Sequence, residues 1–494
     1  MKKYAYLTLS ATLLTSLSFS QEEVNTSYWT GNTREGTNGW GLTSIEENWS
    51  TETIPDANTN VVFDNEYLTG EKILSIHTTS GFTCNDYTVT SNYGGHQIRV
   101  DGTMTINGNF TTQLQSTITL LSNGSNDSAA VLNIGKNVIV GVDGDTTSGN
   151  FYELKIGEST SNQWHGWGGP KNVTIGGDLV MYEKGRVNFN VNLKGRTADY
   201  ENPDIDIKGV MKFEGDGRNN PQITIINASN PFTSGGYKHY SIPVEVVLAC
   251  NGISGNGVIF NNSNGSLENG ASKAILLLRN DSDQYFAGWI QDGKNCTTKI
   301  VMNGTATQYL TSANSSSEKP TEGISFTGGV EMISGTLSMR YDNQINHGDL
   351  EMRGGKIQND PLSSAWNVNF TNLIYEGGTI VFRWNGSNMD VITLSGGLQK
   401  GAGFADGDKF LIEVAATDVS SLTDELVIAW DNAAQKTDFT EDDFEATYFE
   451  GYEALFNIKD DGLYLSYIAV PEPAAFAVML GAIALGLCAC RKRK

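Results

Sequence analysis

The residues of this chain that could do chemistry are few and scattered. Removing a proton beside a sugar carboxylate needs a cation or cationic side chain to hold the acid and a Lys or Arg to take the proton. The nearest approaches to that set are Glu214-Gly215-Asp216-Gly217-Arg218 and Asp143-Gly144-Asp145. Both also have the composition of Gly/Asp turns between strands, and that reading is preferred. Asp143, Asp145, Asp216, Asp281 and Asp283 offer hard oxygen ligands, which leaves a structural calcium open. None of them has the order of an EF-hand loop or a tandem Gly-rich calcium repeat, so no cofactor is expected beyond that.

Two aromatic rings sit in Trp164-His165-Gly166-Trp167-Gly168-Gly169, where they could stack on sugar rings; packing beneath a loop is the simpler use. His77, His96, His165, His239 and His347 are far apart in sequence and form no zinc motif. No G-x-S-x-G elbow and no phosphate-binding Gly loop is present. The catalytic expectation is therefore "none".

The elements that carry these residues are short strands. Glycine is abundant, 55 residues against 10 prolines, and β-branched runs are broken by Gly and Asn without helical spacing. A unit recurs at Met104-Thr105-Ile106-Asn107-Gly108-Asn109-Phe110, Leu132-Asn133-Ile134-Gly135-Lys136-Asn137-Val138, Val173-Thr174-Ile175-Gly176-Gly177-Asp178-Leu179 and Ile205-Asp206-Ile207-Lys208-Gly209-Val210-Met211. Each is a strand, a glycine corner and a second strand, with alternate apolar residues on one side. The fold expected is all-β, an elongated parallel β-helix (β-solenoid) with a C-terminal strand-rich cap. Tandem β-sandwiches are the alternative, supported by the hairpin-like dipeptides Asn107-Gly108, Asn123-Gly124 and Asn303-Gly304. Coils of about 25 residues would number roughly 15 and make a rod of about 70 Å.

The formal net charge is −23, which disfavours nucleic acid and anionic membrane surfaces as partners. Cys84, Cys250 and Cys296 stand singly; one bridge, Cys250 to Cys296, and a free thiol are both open. Lys2 and Lys3, the apolar stretch to Leu14 and Ser18-Phe19-Ser20 read as a secretory signal peptide over residues 1–20.

At the other end, Pro471-Glu472-Pro473 precedes the uncharged run Ala474–Cys490, and Arg491, Lys492, Arg493 and Lys494 follow it. As a helix the run spans roughly 25 Å, the short end of a bilayer core. Its cationic end should stay cytoplasmic. This order resembles the PEP-CTERM sorting signal of Gram-negative bacteria. The resemblance implies recognition by an exosortase-type processing enzyme and transfer to the cell surface or extracellular matrix; an ordinary tail anchor is the alternative. Trp29, Gly31, Trp40, Asn48-Trp49, Ile54-Pro55 and Val61-Val62-Phe63 likewise resemble the opening of autotransporter-type passengers, read as a cap, with a sugar platform of Trp29, Trp40 and Trp49 as the alternative.

The expected organisation is a signal peptide (1–20), an N-terminal capping segment (21–70), a solenoid body (71–364), a strand-rich cap (365–469) and the sorting tail (470–494). Glu441-Asp442-Asp443 is read as a solvated loop within that cap. The expected role is a non-enzymatic surface or matrix protein, anchored in the inner membrane as a precursor and associated with extracellular polysaccharide in adhesion or biofilm. The competing expectation is a polysaccharide-active enzyme or lectin on the same scaffold.

Overall fold

The computed structural model describes residues 24–32, 41–69, 75–78, 81–91, 93, 96–100, 102–115, 117–122, 131–145, 150–156, 172–191, 198–214, 222–227, 233–234, 237–238, 245–261, 272–292, 296–311, 324–340, 345–359, 367–430 and 437–470. The alternation read from the sequence becomes a three-sided coil. In one turn, His96–Val100 forms face one, Thr103–Ile106 face two and Phe110–Thr112 face three. The next turn repeats this with Thr117–Ser122, Val131–Ile134 and Val138–Val140, each strand pairing in parallel with its counterpart. Alternate side chains point inward, so Leu132 and Ile134 are buried while Val131 and Asn133 are only partly covered.

The isoleucines of the recurring unit stack directly: Ile106 opposite Ile134, Ile134 opposite Ile175, and Ile175 opposite Ile207. Face three gives the full length of the stack. It starts at Asn25–Tyr28 and passes through Thr59–Phe63, Tyr87–Val89, Phe110–Thr112, Val138–Val140, Leu179–Met181, Met211–Phe213, Ile253–Gly255 and Gln284–Phe286. It continues through the second halves of Cys296–Leu310, Val330–Met339, Leu350–Asn359 and Leu373–Arg383 to Phe410–Ala415 and Phe444–Ala446. At roughly 4.8 Å between strands, these rungs make a stack about 70 Å long. Tandem sandwiches are thereby overturned, since they require antiparallel neighbours. Asn107-Gly108 is a corner between faces, Asn303-Gly304 lies inside a long strand, and Asn123-Gly124 is outside the described residues.

A second ladder runs up the corner between faces two and three. Asn60 Oδ1 accepts the Asp86 N–H (3.2 Å), Asp86 Oδ1 that of Asn109 (2.7 Å), and Asn109 Oδ1 that of Asn137 (3.2 Å). Asn137 Oδ1 then takes the Asp178 N–H and Asp178 Oδ1 the Val210 N–H, both at 2.8 Å. Each carbonyl or carboxylate satisfies a corner amide that no strand pairs, and valine at 210 ends the series because it has no acceptor.

Further along, the corner itself becomes strand. Cys296–Leu310, Val330–Met339, Leu350–Asn359 and Leu373–Arg383 each serve faces two and three in one run, which joins those faces into one sheet of 23 strands among the described residues. The bend sits at stacked glycines with positive φ, Gly335 at 76°, Gly355 at 64° and Gly378 at 92°.

The parallel stacking runs through the boundary at 364/365. Asn367–Phe370, Val391–Leu394 and Glu425–Trp430 extend a face in parallel. Only then does the direction reverse, as Gly462–Ala469 lies antiparallel to both Glu425–Trp430 and Tyr452–Lys459. The outer edge of this final hairpin is blunted: Glu441 Oε1 accepts the Ile458 N–H (3.3 Å) and the Phe449 carbonyl takes that of Tyr452 (3.0 Å). Glu441–Asp443, expected as a solvated loop, is a 3-10 turn tied by Asp443 to Thr440 and by an ion pair to Lys400 at 2.9 Å.

At the start of the chain Trp29 and Trp49 are buried among Phe63, Phe82 and Tyr87, and Trp49 donates its indole N–H to Thr43. Their faces are unavailable to a sugar; Trp40 lies outside the described residues. Asn25–Tyr28, within the expected capping segment, is already a rung of the stack.

The Cys250–Cys296 pairing is not formed. Cys250 is a buried free thiol opposite Leu278 at the end of its strand, whereas Cys296 lies opposite Ser272 at the start of another. Six residues of extended chain, roughly 20 Å, separate those register positions, far beyond the reach of a disulfide. Burial raises the Cys250 thiol pKa to about 12 and leaves it unreactive.

Candidate functional site: an ionic cluster under a strap

Where face two passes through Glu245–Cys250, Ser272–Leu278 and the first half of Cys296–Leu310, it is apolar on both sides. Val247, Ala249, Ile275, Leu277 and Val301 point outward yet are buried. The chain covers them itself, with Ala198 and Tyr200 packed on this patch. The strap of residues 198–204 is fixed at three places. Ala198 N–H donates to Glu245 (3.0 Å), Asp204 Oδ2 accepts the Val247 N–H (3.0 Å), and the Tyr200 hydroxyl donates to Glu331 Oε2 at 2.8 Å.

Glu331 is the centre of the described charged groups on this face. Stacking places it opposite Val301 on one side and Glu351 on the other. Lys299 Nζ lies 2.7 Å from Glu331 Oε2 and 3.0 Å from Glu351 Oε1. Arg353 closes the other side, with Nη1 3.2 Å from Glu331 Oε1 and Nη2 3.2 Å from Glu351 Oε2. Two stacked carboxylates would repel each other, so the two cations are what allow coils with Glu at this position to be neighbours.

The protonation states follow from that geometry. Burial works against the Lys299 ammonium, but Glu331 and Glu351 outweigh it and hold its pKa above the ordinary lysine value. Burial is the largest single influence on the Glu331 carboxylate and works against it, but the bonds and charges of Lys299, Tyr200 and Arg353 together outweigh it and lower its pKa. Tyr200 is pushed well up, first by burial and then by donating to Glu331. A lysine, arginine or tyrosine that abstracts a proton must be unprotonated near neutral pH, and Lys299 and Tyr200 are not. Burial works against the Arg353 guanidinium as well, but Glu331 and Glu351 outweigh it and raise its pKa. The cluster binds its own parts instead of presenting an open charge.

Tyr200→Phe separates the strap's anchor from its packing. Loss of about 1.5–3 kcal/mol is expected in urea unfolding, the usual contribution of a hydrogen bond to a charged group. Limited proteolysis should show earlier cleavage near residue 200, and equal stability of the two proteins would contradict the anchoring role.

The sequence-level candidates distribute differently. Asp145 is nearly buried and accepts bonds from Lys184 Nζ (3.1 Å), the Tyr152 hydroxyl (2.7 Å) and Gln115 (3.1 Å), so lysine supplies the positive charge a calcium ion would have brought. Asp143 is exposed. Asp281 accepts from Ser282 (3.2 Å) within its own turn, whereas Asp283 accepts the Thr307 N–H (2.9 Å) of the next coil and ties the two coils together. Glu214 is exposed, while Asp216 and Arg218 lie outside the described residues, as do Trp164, Trp167 and the whole tail set Pro471, Glu472, Pro473, Arg491, Lys492, Arg493 and Lys494. Among the described residues no group of three or more His, Cys, Asp or Glu is placed to hold a metal ion, and no helix is long and apolar enough to cross a membrane. The expected membrane span, Ala474–Cys490, is outside them.

Tyr200, Lys299, Glu331, Glu351 and Arg353 were not legible as a set. Their meeting depends on coil register, and the only local signal is the outward Glu in Val330-Glu331-Met332 and Leu350-Glu351-Met352, the same pattern one coil apart.

The class that this architecture defines is a three-sided parallel β-helix. Protein-family models give no match to the chain, and curated proteins give none either.

Proposed function

We propose that the chain is an exported structural rod of a Gram-negative cell surface or extracellular matrix, sorted through its PEP-CTERM-like tail by an exosortase-type enzyme and held among extracellular polysaccharide. The observation that carries this reading is the uninterrupted ladder of face three, a length-setting architecture. Its most concentrated described charges, at Glu331 and Asp145, are matched by Lys299, Arg353 and Lys184. A polysaccharide-lyase reading gains no support from that cluster, because its lysine, arginine and tyrosine are held protonated by the carboxylates they contact.

The test is to express the full chain, with and without residues 471–494, in a host that has an exosortase and in the same host lacking it. The intact chain is expected at the surface only when the enzyme is present, with its C-terminus at or before Pro473 by mass spectrometry. The shortened chain should lose surface retention. Surface protein that still carries residues beyond Pro473 would overturn the sorting reading, and release of unsaturated sugars from acidic polysaccharide by the purified rod would overturn the structural one.

A further inference from the structure

Face three carries one feature that the rod itself does not need. Along its outward line the residues at equivalent register are Val180, Lys212, Ser254, Tyr285, Tyr309, Ser338 and Gln358. Tyr285 and Tyr309 stack face to face, with ring centroids 4.3 Å apart and planes within 2°. Their planes therefore stand across the rod axis, and one face of Tyr285 looks back toward the preceding coil. At that register position the coil offers Ser254, a small residue, and Tyr285 remains 57% exposed.

The next side chain on that line is Lys212, two rungs away. Its ammonium leans farther from Tyr285, to Asp178 at 2.6 Å. Tyr285 and the Lys212 stem thus stand as two walls roughly 9–10 Å apart, from two strand spacings. A flat ring in contact on both sides needs about 7–8 Å, too little to fill this gap, whereas a puckered ring with axial hydrogens is thicker and suits it better. The floor is the Ser254 hydroxyl. Asn256 and Glu214 follow Ser254 and Lys212 at the next corner, stacked through Asn256 N–H to Phe213 and Glu214 N–H to Met181. Ala287, the corresponding residue after Tyr285, is too small to close the opening.

We propose that this slot, between Tyr285 and Lys212 over Ser254, binds one pyranose ring of a neutral polysaccharide. This rests on the matrix reading only for its biological setting. An aromatic face receives the axial C–H side of a sugar, while a hydroxyl, an amide and a carboxylate at the margin suit its hydroxyls. Acidic glycans are disfavoured, because the exposed Glu214, Asp281 and Asp283 add local negative charge to a chain of net charge −23. The structure assigns sugar contact to Tyr285, a residue with no Trp-rich motif around it.

The experiment is retention of the purified full chain on an insoluble neutral β-glucan and on an acidic polysaccharide, compared with Tyr285→Ala, Tyr285→Phe and Ser254→Val. The native chain and Tyr285→Phe are expected to be retained alike on the neutral glycan. Tyr285→Ala should bind at least tenfold more weakly, and Ser254→Val should too, by filling the slot floor. Circular dichroism of each variant checks that the stack is intact. Retention unchanged by Tyr285→Ala, or a native chain held by acidic polysaccharide alone, would overturn the slot. So would a native chain that no glycan retains, including one whose Tyr285 surface is instead protected by a protein partner. None of these outcomes touches the sorting reading, which is judged by localisation.

Discussion

Gly176→Val should break the rod at one place instead of weakening it evenly. A Cβ on Gly176 would stand 2.2 Å from the carbonyl oxygen of Gly135 and 2.8 Å from its carbonyl carbon, both backbone atoms of the coil below. The Gly176 N–H already bonds to the Ile134 carbonyl at 2.6 Å, so the two coils cannot part without losing that bond. The expected loss is about 3 kcal/mol, the upper end for forced overpacking. Coils in a stack contact only their neighbours, so the damage should divide one cooperative transition into two. Urea unfolding followed by amide exchange would show early loss of protection around residues 131–181 while the coils near Val330–Arg383 stay closed. A single uniform transition with native midpoint would mean that the corner can open more easily than its geometry indicates. Gly144→Ala is the control, since no atom lies within 4 Å of a Cβ there and only its positive φ is strained.

Removing Lys299 should be at least as costly. In Lys299→Met the Glu331 carboxylate stays buried with Arg353 as its remaining cation, and loss of about 3–5 kcal/mol is expected, the usual result of leaving one partner of a buried pair. Lys299→Met with Glu331→Gln should recover most of it, since the amide still accepts from Tyr200. The pH dependence distinguishes this from simple loss of packing. Glu331 has a folded pKa below its unfolded value, so its stabilisation is present above the unfolded value and is lost as pH falls through the folded one. Lys299 has a folded pKa above its unfolded value, so its contribution is present below the unfolded value and lost as pH rises through the folded one. The native pair therefore stabilises across the neutral range and weakens at both extremes. In Lys299→Met the acid limb should reverse: lowering the pH from 7 toward 5 narrows the gap to the native protein as Glu331 becomes protonated. Chemical denaturation across that range reads the effect, and a gap independent of pH would exclude the electrostatic account.

Much of the scaffold could be read from local pattern. The isoleucines at 106, 134, 175 and 207 are spaced unevenly, yet they stack, because loops of different length leave the coil untouched while the strand–glycine–strand unit fixes the register. The hairpin reading of Asn-Gly failed at 107–108 because Asn109 after it binds the next coil, which makes the dipeptide a bend between faces. The strands from Ala365 onward look longer than those before, but Gly377-Gly378 is a corner that has been drawn into the strand, as Gly354-Gly355 is one coil earlier. The ionic cluster was invisible for a different reason. Tyr200 and Glu331 are 131 residues apart, and loop lengths that cannot be assigned to coils in advance decide which outward residues become neighbours.

The ladder of Asn and Asp at the corner has a mechanical side. Its bonds and the backbone bonds between coils lie along the rod, the direction in which a filament fixed at one end would be pulled. Tension applied to the termini would load one rung at a time, so coils would peel off in sequence and release slack, each at the modest force of a few bonds. Where Val210 interrupts the ladder, the corner passes on without a side-chain bond. A tether built this way yields gradually under drag and re-forms by laying the next coil onto an intact edge.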